Sequence, residues 1–292
     1  MTRRTRTLVT RPLLRWHGGK WRIAPWVIEH FPQHRCYVEA FGGAASVLLR
    51  KPRVGAEVYN DLDDDVVNLF RVLRDPDCAA QLLHALELTP FARTERNECC
   101  ALADTPVEQA RRLIVRSFMG FGSDSSRIDR CTGFRSSSNR DGGGSTPARD
   151  WANYPPALEA IVNRVRGVVI EHRDALQVMQ THDQPWTLHY VDPPYLPATR
   201  RIHSGHGYVH ELSAQDHRRL LQGLRDLQGM VILSGYPHAS YSRALRDWRP
   251  VSLQTYADGA QPRTEMLWLN PATQRALAQQ ELPFGINTGA AA

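Results

Sequence analysis

Asp192, Pro193, Pro194 and Tyr195 follow directly on Thr187–Val191, a run that reads as a buried strand. Each proline fixes φ at about −65° and lacks a backbone donor, so the strand's hydrogen-bond ladder has to end there. Pro193 also keeps Asp192 out of the helical region. The product is a stiff loop with a carboxylate, a free carbonyl and an aromatic face in fixed relation. Strand ends are where α/β folds place their chemistry.

A second group lies earlier. In YVEAFGGAASVLL, Gly42 and Gly43 turn a strand into a helix start, where a ligand can approach backbone N–H groups closely. Asp61, in EVYNDLDDD, ends the next strand 18 positions after Gly43. An acid about 20 residues downstream of such a turn accepts from ribose hydroxyls in nucleotide-binding folds. Asp63–Asp65 suit the start of the following helix. The glycines do not spell GxGxxG, which disfavours a nicotinamide enzyme. His203, His206, His210 and His217 match no metal-ligand spacing, and the expectation is that no metal is bound.

The chain has 36 basic residues, of which only Lys20 and Lys51 are lysines. Where lysine persists against such an arginine bias, its compact charge is the expected reason. Lys20, in WHGGKW, is read that way, whereas Lys51, in RKPR, reads as a loop residue without a role.

These residues need a scaffold. Period and breakers predict strands at Cys36–Phe41, Ala56–Tyr59, Gly167–Glu171, Thr187–Val191, Met230–Ser234, Ser252–Tyr256 and Glu265–Leu269. Helices are predicted at Arg22–His30, Asp64–Leu73, Val107–Phe118, Ala157–Arg164 and Ala214–Leu227, the last opened by a capping box of Ser213 and Asp216. This is an alternating α/β pattern closed by an antiparallel hairpin. Residues 75–165 break the alternation and read as an inserted, mainly helical lobe ending in a Gly/Ser/Arg-rich loop. The core unit is then 1–74 with 166–270, and 271–292 reads as a flexible tail.

Composition bounds the function. At 42% hydrophobic and 23% charged over 292 residues, the chain is ordinary globular material. It has no apolar run near the roughly 18 residues that a membrane span needs, and no signal-peptide pattern. Five cysteines without CxxC fit neither a zinc site nor a disulfide framework, so a reducing cytoplasm is expected. The net charge of +6 favours a polyanion partner. No acid precedes Glu29, and 111–149 carries eight arginines against three aspartates.

The ordered set WHGGK, EAFGGAASV, YNDLD and VDPPY resembles the Dam-like, D12 class N6-adenine DNA methyltransferases over about residues 13–270. The resemblance implies a Rossmann-like S-adenosylmethionine-dependent methyltransferase sheet with an inserted target-recognition lobe. It implies S-adenosylmethionine as methyl donor, held by Trp16, Lys20, Phe41, Gly43, Asp61, Asp174 and Asp192. It places catalysis at Asp192, Pro193, Pro194 and Tyr195: Asp192 and the Pro193 carbonyl accept the N–H groups of an exocyclic amine, and a flipped-out base stacks on Tyr195. Double-stranded DNA is the implied partner. Arg116, Arg127, Arg130 and Arg135 are its candidate contacts, and 196–210 is a candidate lid. The same loop serves enzymes acting on cytosine N4, and a decayed, sequence-specific DNA-binding protein is the non-enzymatic alternative. A cytoplasmic, bacterial or phage-encoded monomer is expected, with or without an unlinked restriction endonuclease. Ala45 and Gly235 depart from the family's usual glycine and asparagine. An alanine fits at 45 if φ is negative there.

Overall fold

The computed structural model describes residues 8–122, 125–130, 132–137, 145–199, 207–256 and 262–281. Seven strands form one sheet: β1 (Cys36–Glu39), β2 (Ala56–Asn60), β3 (Val168–Glu171), β4 (Thr187–Val191), β5 (Met230–Gly235), β6 (Arg249–Tyr256) and β7 (Pro262–Leu269). The helices are α1 (Ala24–Glu29), α2 (Ser46–Arg50), α3 (Asp64–Arg74), α4 (Pro76–Leu88), α5 (Arg93–Glu98), α6 (Pro106–Met119), α7 (Pro147–Ala152), α8 (Pro155–Val165), α9 (Ala175–Thr181), α10 (Ala214–Arg225), α11 (Ala239–Ala244) and α12 (Pro271–Glu281). Among the described residues no helix is long and apolar enough to cross a membrane.

The strand order is β3-β2-β1-β4-β5-β7-β6. The first five strands are mutually parallel, and β7 runs antiparallel to both β5 and β6. This is the Rossmann-like, mostly parallel sheet expected from the sequence, with the predicted hairpin at its edge. The chain leaves β1 toward β2 and β3, then returns to β4 on the other side of β1. That reversal opens a crevice beyond the carboxyl ends of β1 and β4.

Alternation along the strands divides the core in two. Tyr37, Tyr59, Leu188, Ile232 and Leu267 face one hydrophobic cluster, and Val38, Val58, Val191, Leu233 and Trp268 face the other. All five residues of β4 are buried, as a central strand covered on both faces requires. Each large side chain so buried contributes about 1.5–3 kcal/mol.

Among the described residues, 75–165 do not build a core of their own. Leu82 and Leu86 of α4, Leu113 and Ile114 of α6, and Leu158 and Ile161 of α8 join the cluster that covers the sheet's first face. The N-terminal arm is fastened to the same segment. The Arg15 N–H donates to Ser117 Oγ (2.7 Å), and the Tyr154 hydroxyl donates to the Leu13 carbonyl (2.7 Å). Arg3, Arg4 and Arg6 lie outside the described residues.

Helix starts are locally encoded. Asp63 accepts from the N–H groups of Asp65 and Val66 at α3, Thr105 caps α6 ahead of Pro106, and Ser213 with Asp216 forms the predicted capping box at α10. One expectation fails at the C-terminus, where 271–281 forms α12 rather than a loose tail. Asn270 pins it: its Oδ1 accepts the Val231 N–H (3.0 Å), its Nδ2 donates to the Gly229 carbonyl (2.9 Å), and Thr273 behind it is buried.

Candidate active site

The crevice beyond β1 and β4 holds a pocket, and sequence neighbours shape each wall. At the end of β1 the glycine turn is packed too tightly for side chains. A Cβ on Gly42 would lie 2.1 Å from the Tyr59 ring, and one on Gly43 (φ +47°) would lie 2.6 Å from the Trp16 indole nitrogen. The turn is also hydrogen-bonded. Gly43 N–H donates to Asp61 Oδ2 (2.7 Å), and the Tyr59 hydroxyl donates to the Gly43 carbonyl (2.7 Å). Asn60 ties the strand ends together, donating from Nδ2 to the carbonyls of Ala40 (2.9 Å) and Arg173 (3.0 Å). Ala45 does not meet the condition of negative φ under which an alanine fits easily. It is buried at φ +51°, ψ +37°, the left-handed N-cap of α2, where L-residues pay strain that glycine avoids.

Asp61 is at the centre of one wall. Its Oδ1 accepts the Asp63 N–H (2.9 Å) while Oδ2 holds the glycine turn. Burial pushes its carboxyl up, and the N–H donors of Asp63, Gly43 and Leu62 pull it back. Asp174 caps α9 by accepting the Gln177 N–H (3.1 Å) and stands beside the apolar Ala175, Leu176, Leu212 and Leu220. Trp16, Lys20, Phe41, Gly43, Asp61, Asp174, Asp192 and Pro194 therefore all line one cavity, although they come from five separate stretches of chain.

The loop after β4 forms the other end. Lys20 Nζ lies 2.9 Å from Asp192 Oδ2, donates to the Gly18 carbonyl (2.7 Å) and stands 4.7 Å above the Tyr195 ring centroid. Burial works to lower the Lys20 ammonium, but Asp192, Glu265 and Tyr208 outweigh it and hold the group above its ordinary value. Asp192 Oδ1 is buried and has no hydrogen-bond partner among the described residues. Pro193 is buried.

Tyr195 is not the open platform expected for a base. It is 5% exposed, its hydroxyl meets Ser234 Oγ (2.8 Å) and Glu265 Oε2 (2.9 Å), and the Tyr236 ring lies edge-on at 4.5 Å. Lys20 occupies the space over its face. Stacking on Tyr195 therefore requires the Lys20 side chain to move.

Part of the expected lid is described. Tyr208, Val209 and His210 line the cavity, and Tyr208 packs edge-on against His17 (5.1 Å). Arg127 donates to the Gly207 carbonyl (2.8 Å), joining the arginine-rich stretch to this cover. Residues 200–206, including His203 and His206, lie outside the described residues. His210 is at the pocket and His217 is buried, with its Nδ1 2.8 Å from the Tyr241 hydroxyl.

The arginines divide. Arg116 cannot meet DNA: it is fully buried, pairs with Asp65 (2.7 Å) and donates to the carbonyls of Ser126 (2.8 Å) and Cys99 (2.9 Å). It faces inward because its helical face is the one that packs against α3. Arg127 reaches Asp129 as well as Gly207, Arg135 donates to the Phe118 carbonyl (3.0 Å), and Arg130 is half-buried. Beside them Phe118 is buried and Phe121 is 70% exposed, so SFMGFG supplies one core ring and one surface ring.

Sequence reasoning missed Glu39, Ser234, Tyr236 and Glu265. Glu39 lines the cavity, and its Oε2 accepts from the Tyr37 hydroxyl (2.6 Å) and the Leu48 N–H (2.8 Å). Burial pushes it up to about 8 against both donors. An acid as the last residue of an otherwise apolar strand, just before the glycine turn, was the available signal. Nothing comparable marked Glu265.

Comparison with known proteins agrees with this geometry. Residues 16–100 match the model of the D12 class N6 adenine-specific DNA methyltransferase family. DNA adenine methylase of Haemophilus influenzae is 34% identical over 65 residues, which is 22% of this chain and 22% of that protein. DNA adenine methylase of Serratia marcescens is 33% identical over 64 residues (22% and 23%), and that of Escherichia coli K12 is 31% identical over 64 (22% and 23%). The matched stretch spans under a quarter of the length of these relatives. The family resemblance read from the motifs is thereby borne out at residues 16–100. That span carries WHGGK, the glycine turn and Asp61, and stops short of Asp192.

Proposed function

We propose that the protein transfers a methyl group from S-adenosylmethionine to adenine N6 in double-stranded DNA, at a base flipped into the cavity between Asp192 and the glycine turn. The observation that carries this reading is Asp192 Oδ1, a buried acceptor without a partner among the described residues, on the wall of a cavity built from the cosubstrate motifs. An orphaned buried acceptor costs about 1–3 kcal/mol and persists where a ligand completes it.

The cavity's chemistry fits the cosubstrate along its length. Leu176, Leu212 and Leu220 beside Asp174 suit a flat heterocycle with a polar edge. Asp61 keeps acceptor capacity for ribose hydroxyls. Lys20 and Glu39 offer a cation and an acid for the two charged groups of an amino-acid end. When bound, S-adenosylmethionine supplies an electrophilic methyl on a sulfonium.

The chain's own residues do the rest. An exocyclic amine conjugated to its ring is a poor nucleophile. Asp192 Oδ1 and the Pro193 carbonyl each accept one of its N–H groups, draw the nitrogen toward tetrahedral geometry and direct its lone pair at the methyl. Lys20 pairs with Asp192. Its departure toward the cosubstrate's carboxylate would clear the Tyr195 face and leave Asp192 negative toward the amine. Catalysis of this kind is positioning and fixed charge.

For the DNA, Arg127, Arg130 and Arg135 remain the candidate phosphate contacts, and residues 75–165 the recognition segment. The net charge of +6 supports a polyanionic partner. The test is incubation of purified protein with labelled S-adenosylmethionine and plasmid DNA from a strain lacking DNA methylation, followed by hydrolysis to nucleosides. N6-methyladenine is the expected product. N4-methylcytosine would transfer the mechanism to another base, and no product despite DNA binding would favour a binding protein.

A further inference from the structure

Glu265 is an acid where the strand pattern calls for a hydrophobe. It lies on β7 two and four positions before Leu267 and Leu269, which are fully buried on the same face, and is itself 8% exposed. A carboxylate at such a position needs a compensating partner. It has one: the Tyr195 hydroxyl, 70 residues away in sequence, 2.9 Å from Oε2. Ser234, at the end of β5, meets the same hydroxyl at 2.8 Å. Burial pushes the Glu265 carboxyl up, while Lys20 and the Tyr195 hydroxyl hold it back.

These contacts are a fixture. A phenylalanine ring offers a base nearly the same face as a tyrosine ring, so stacking alone does not need the hydroxyl. Two buried polar groups from two strands converge on that oxygen and fix the tilt of the ring. Tyr236 closes on the ring's edge and Lys20 on its face. The same carboxylate is a second negative neighbour for Lys20, whose ion pair is with Asp192.

We infer that Glu265, together with Ser234, is a positioning residue for the methyl-accepting base, acting through the hydroxyl of Tyr195. The inference rests on the function proposed above. Reactions that depend on alignment lose rate steeply when a supporting group is slack.

The test is a double-mutant cycle in single-turnover methyl transfer to unmethylated plasmid DNA, with Glu265→Gln, Tyr195→Phe and the double variant. Each single change is expected to slow transfer about ten-fold, the worth of one hydrogen bond to a charged or buried group. The double variant should be no slower than the slower single one, and KM for S-adenosylmethionine should stay within about two-fold. A purely structural Glu265 would lower thermal stability without this non-additivity. Losses that multiply, single variants within about two-fold of wild type, or an equal loss in cosubstrate KM would each overturn the inference. Should Glu265→Gln fail to fold, Ser234→Ala with Tyr195→Phe completes the same cycle. A wild type that leaves the plasmid unlabelled overturns the proposed function, and this inference with it.

Discussion

Lys20 and Lys51 are the chain's only lysines, and their surroundings look alike. Each is buried, each meets a carboxylate (Asp192 at 2.9 Å, Glu57 at 2.7 Å), and each ammonium lies over a tyrosine ring (Tyr195 at 4.7 Å, Tyr37 at 4.5 Å). The difference is in what remains unsatisfied. Around Lys51, at the amino ends of β1 and β2, Arg164 reaches both oxygens of Glu57 (2.6 and 2.9 Å). Burial lowers Lys51, and Glu57 does not fully restore it. Around Lys20, at the carboxyl end of β4, one oxygen of Asp192 has no partner among the described residues, and the ammonium is held above its ordinary value. At Lys51 both carboxylate oxygens are taken, although the Arg164 Nε has no partner among the described residues, whereas at Lys20 a carboxylate oxygen stays open. The same residue type, burial and partner chemistry thus serve stability at one end of the sheet and, in the function proposed above, a site at the other.

The comparison breaks first at Lys51. Lys51→Met should cost about 3 kcal/mol, toward the low end for breaking a buried pair because Arg164 remains, with the activity per folded molecule unchanged. Urea unfolding together with a rate measurement checks both halves, and an inactive but stable variant would reverse the assignment. Lys20→Met should do the opposite. Binding of S-adenosylmethionine should weaken by about 10- to 100-fold in calorimetry, with the unfolding midpoint nearly unchanged.

Smaller effects sharpen the picture of the glycine turn between them. Ala45 takes positive φ and its neighbour Ala44 does not, yet both are buried. Ala44→Gly should therefore cost about 1–2 kcal/mol, while Ala45→Gly should be close to neutral, because relief of left-handed strain offsets the lost methyl. Equal costs in thermal unfolding would argue against the strain. A pH slope from Glu39 bears on the same turn. Its carboxyl is raised to about 8 by burial, so its favourable contribution to stability is complete below the unfolded value and is lost as pH rises through about 8. Glu39→Gln should gain stability relative to wild type progressively as pH rises from about 4.5 to about 8, with no further gain above that. A constant difference across that range would place the shift elsewhere.

Much of the scaffold is legible in the sequence because its signals are local. Alternation gives all seven strands to within a few residues, and Ser213 with Asp216 marks the start of α10. What the sequence hides depends on distant partners. Arg116 reads as a DNA contact in an arginine-rich stretch, but its place on α6 turns it toward Asp65 of α3. Lys51 reads as a loop residue until Glu57 and Tyr37 are brought beside it. α12 carries only a thin apolar stripe of Ala272, Ala276 and Leu277, and it is held by Asn270 instead. At the site, the motifs locate Trp16, Gly43, Asp61 and Asp192 in one cavity, because each sits at a strand end or a tight turn. They do not locate Glu265, whose only local mark is one acid in a hairpin of alternating polarity. Its role depends on a hydroxyl that the fold, not the sequence, brings to it.

The central claim is that Asp192, through its unpartnered oxygen, holds the amine that accepts the methyl group. The most direct test is the methylation state of plasmid DNA recovered from cells expressing the wild type or Asp192→Ala, read by modification-sensitive single-molecule sequencing. The account predicts N6-methyladenine at one short motif with the wild type, and a loss of about 10²–10³-fold in rate, hence little or no mark, with the variant. Wild-type-like marking by a folded Asp192→Ala protein would contradict it.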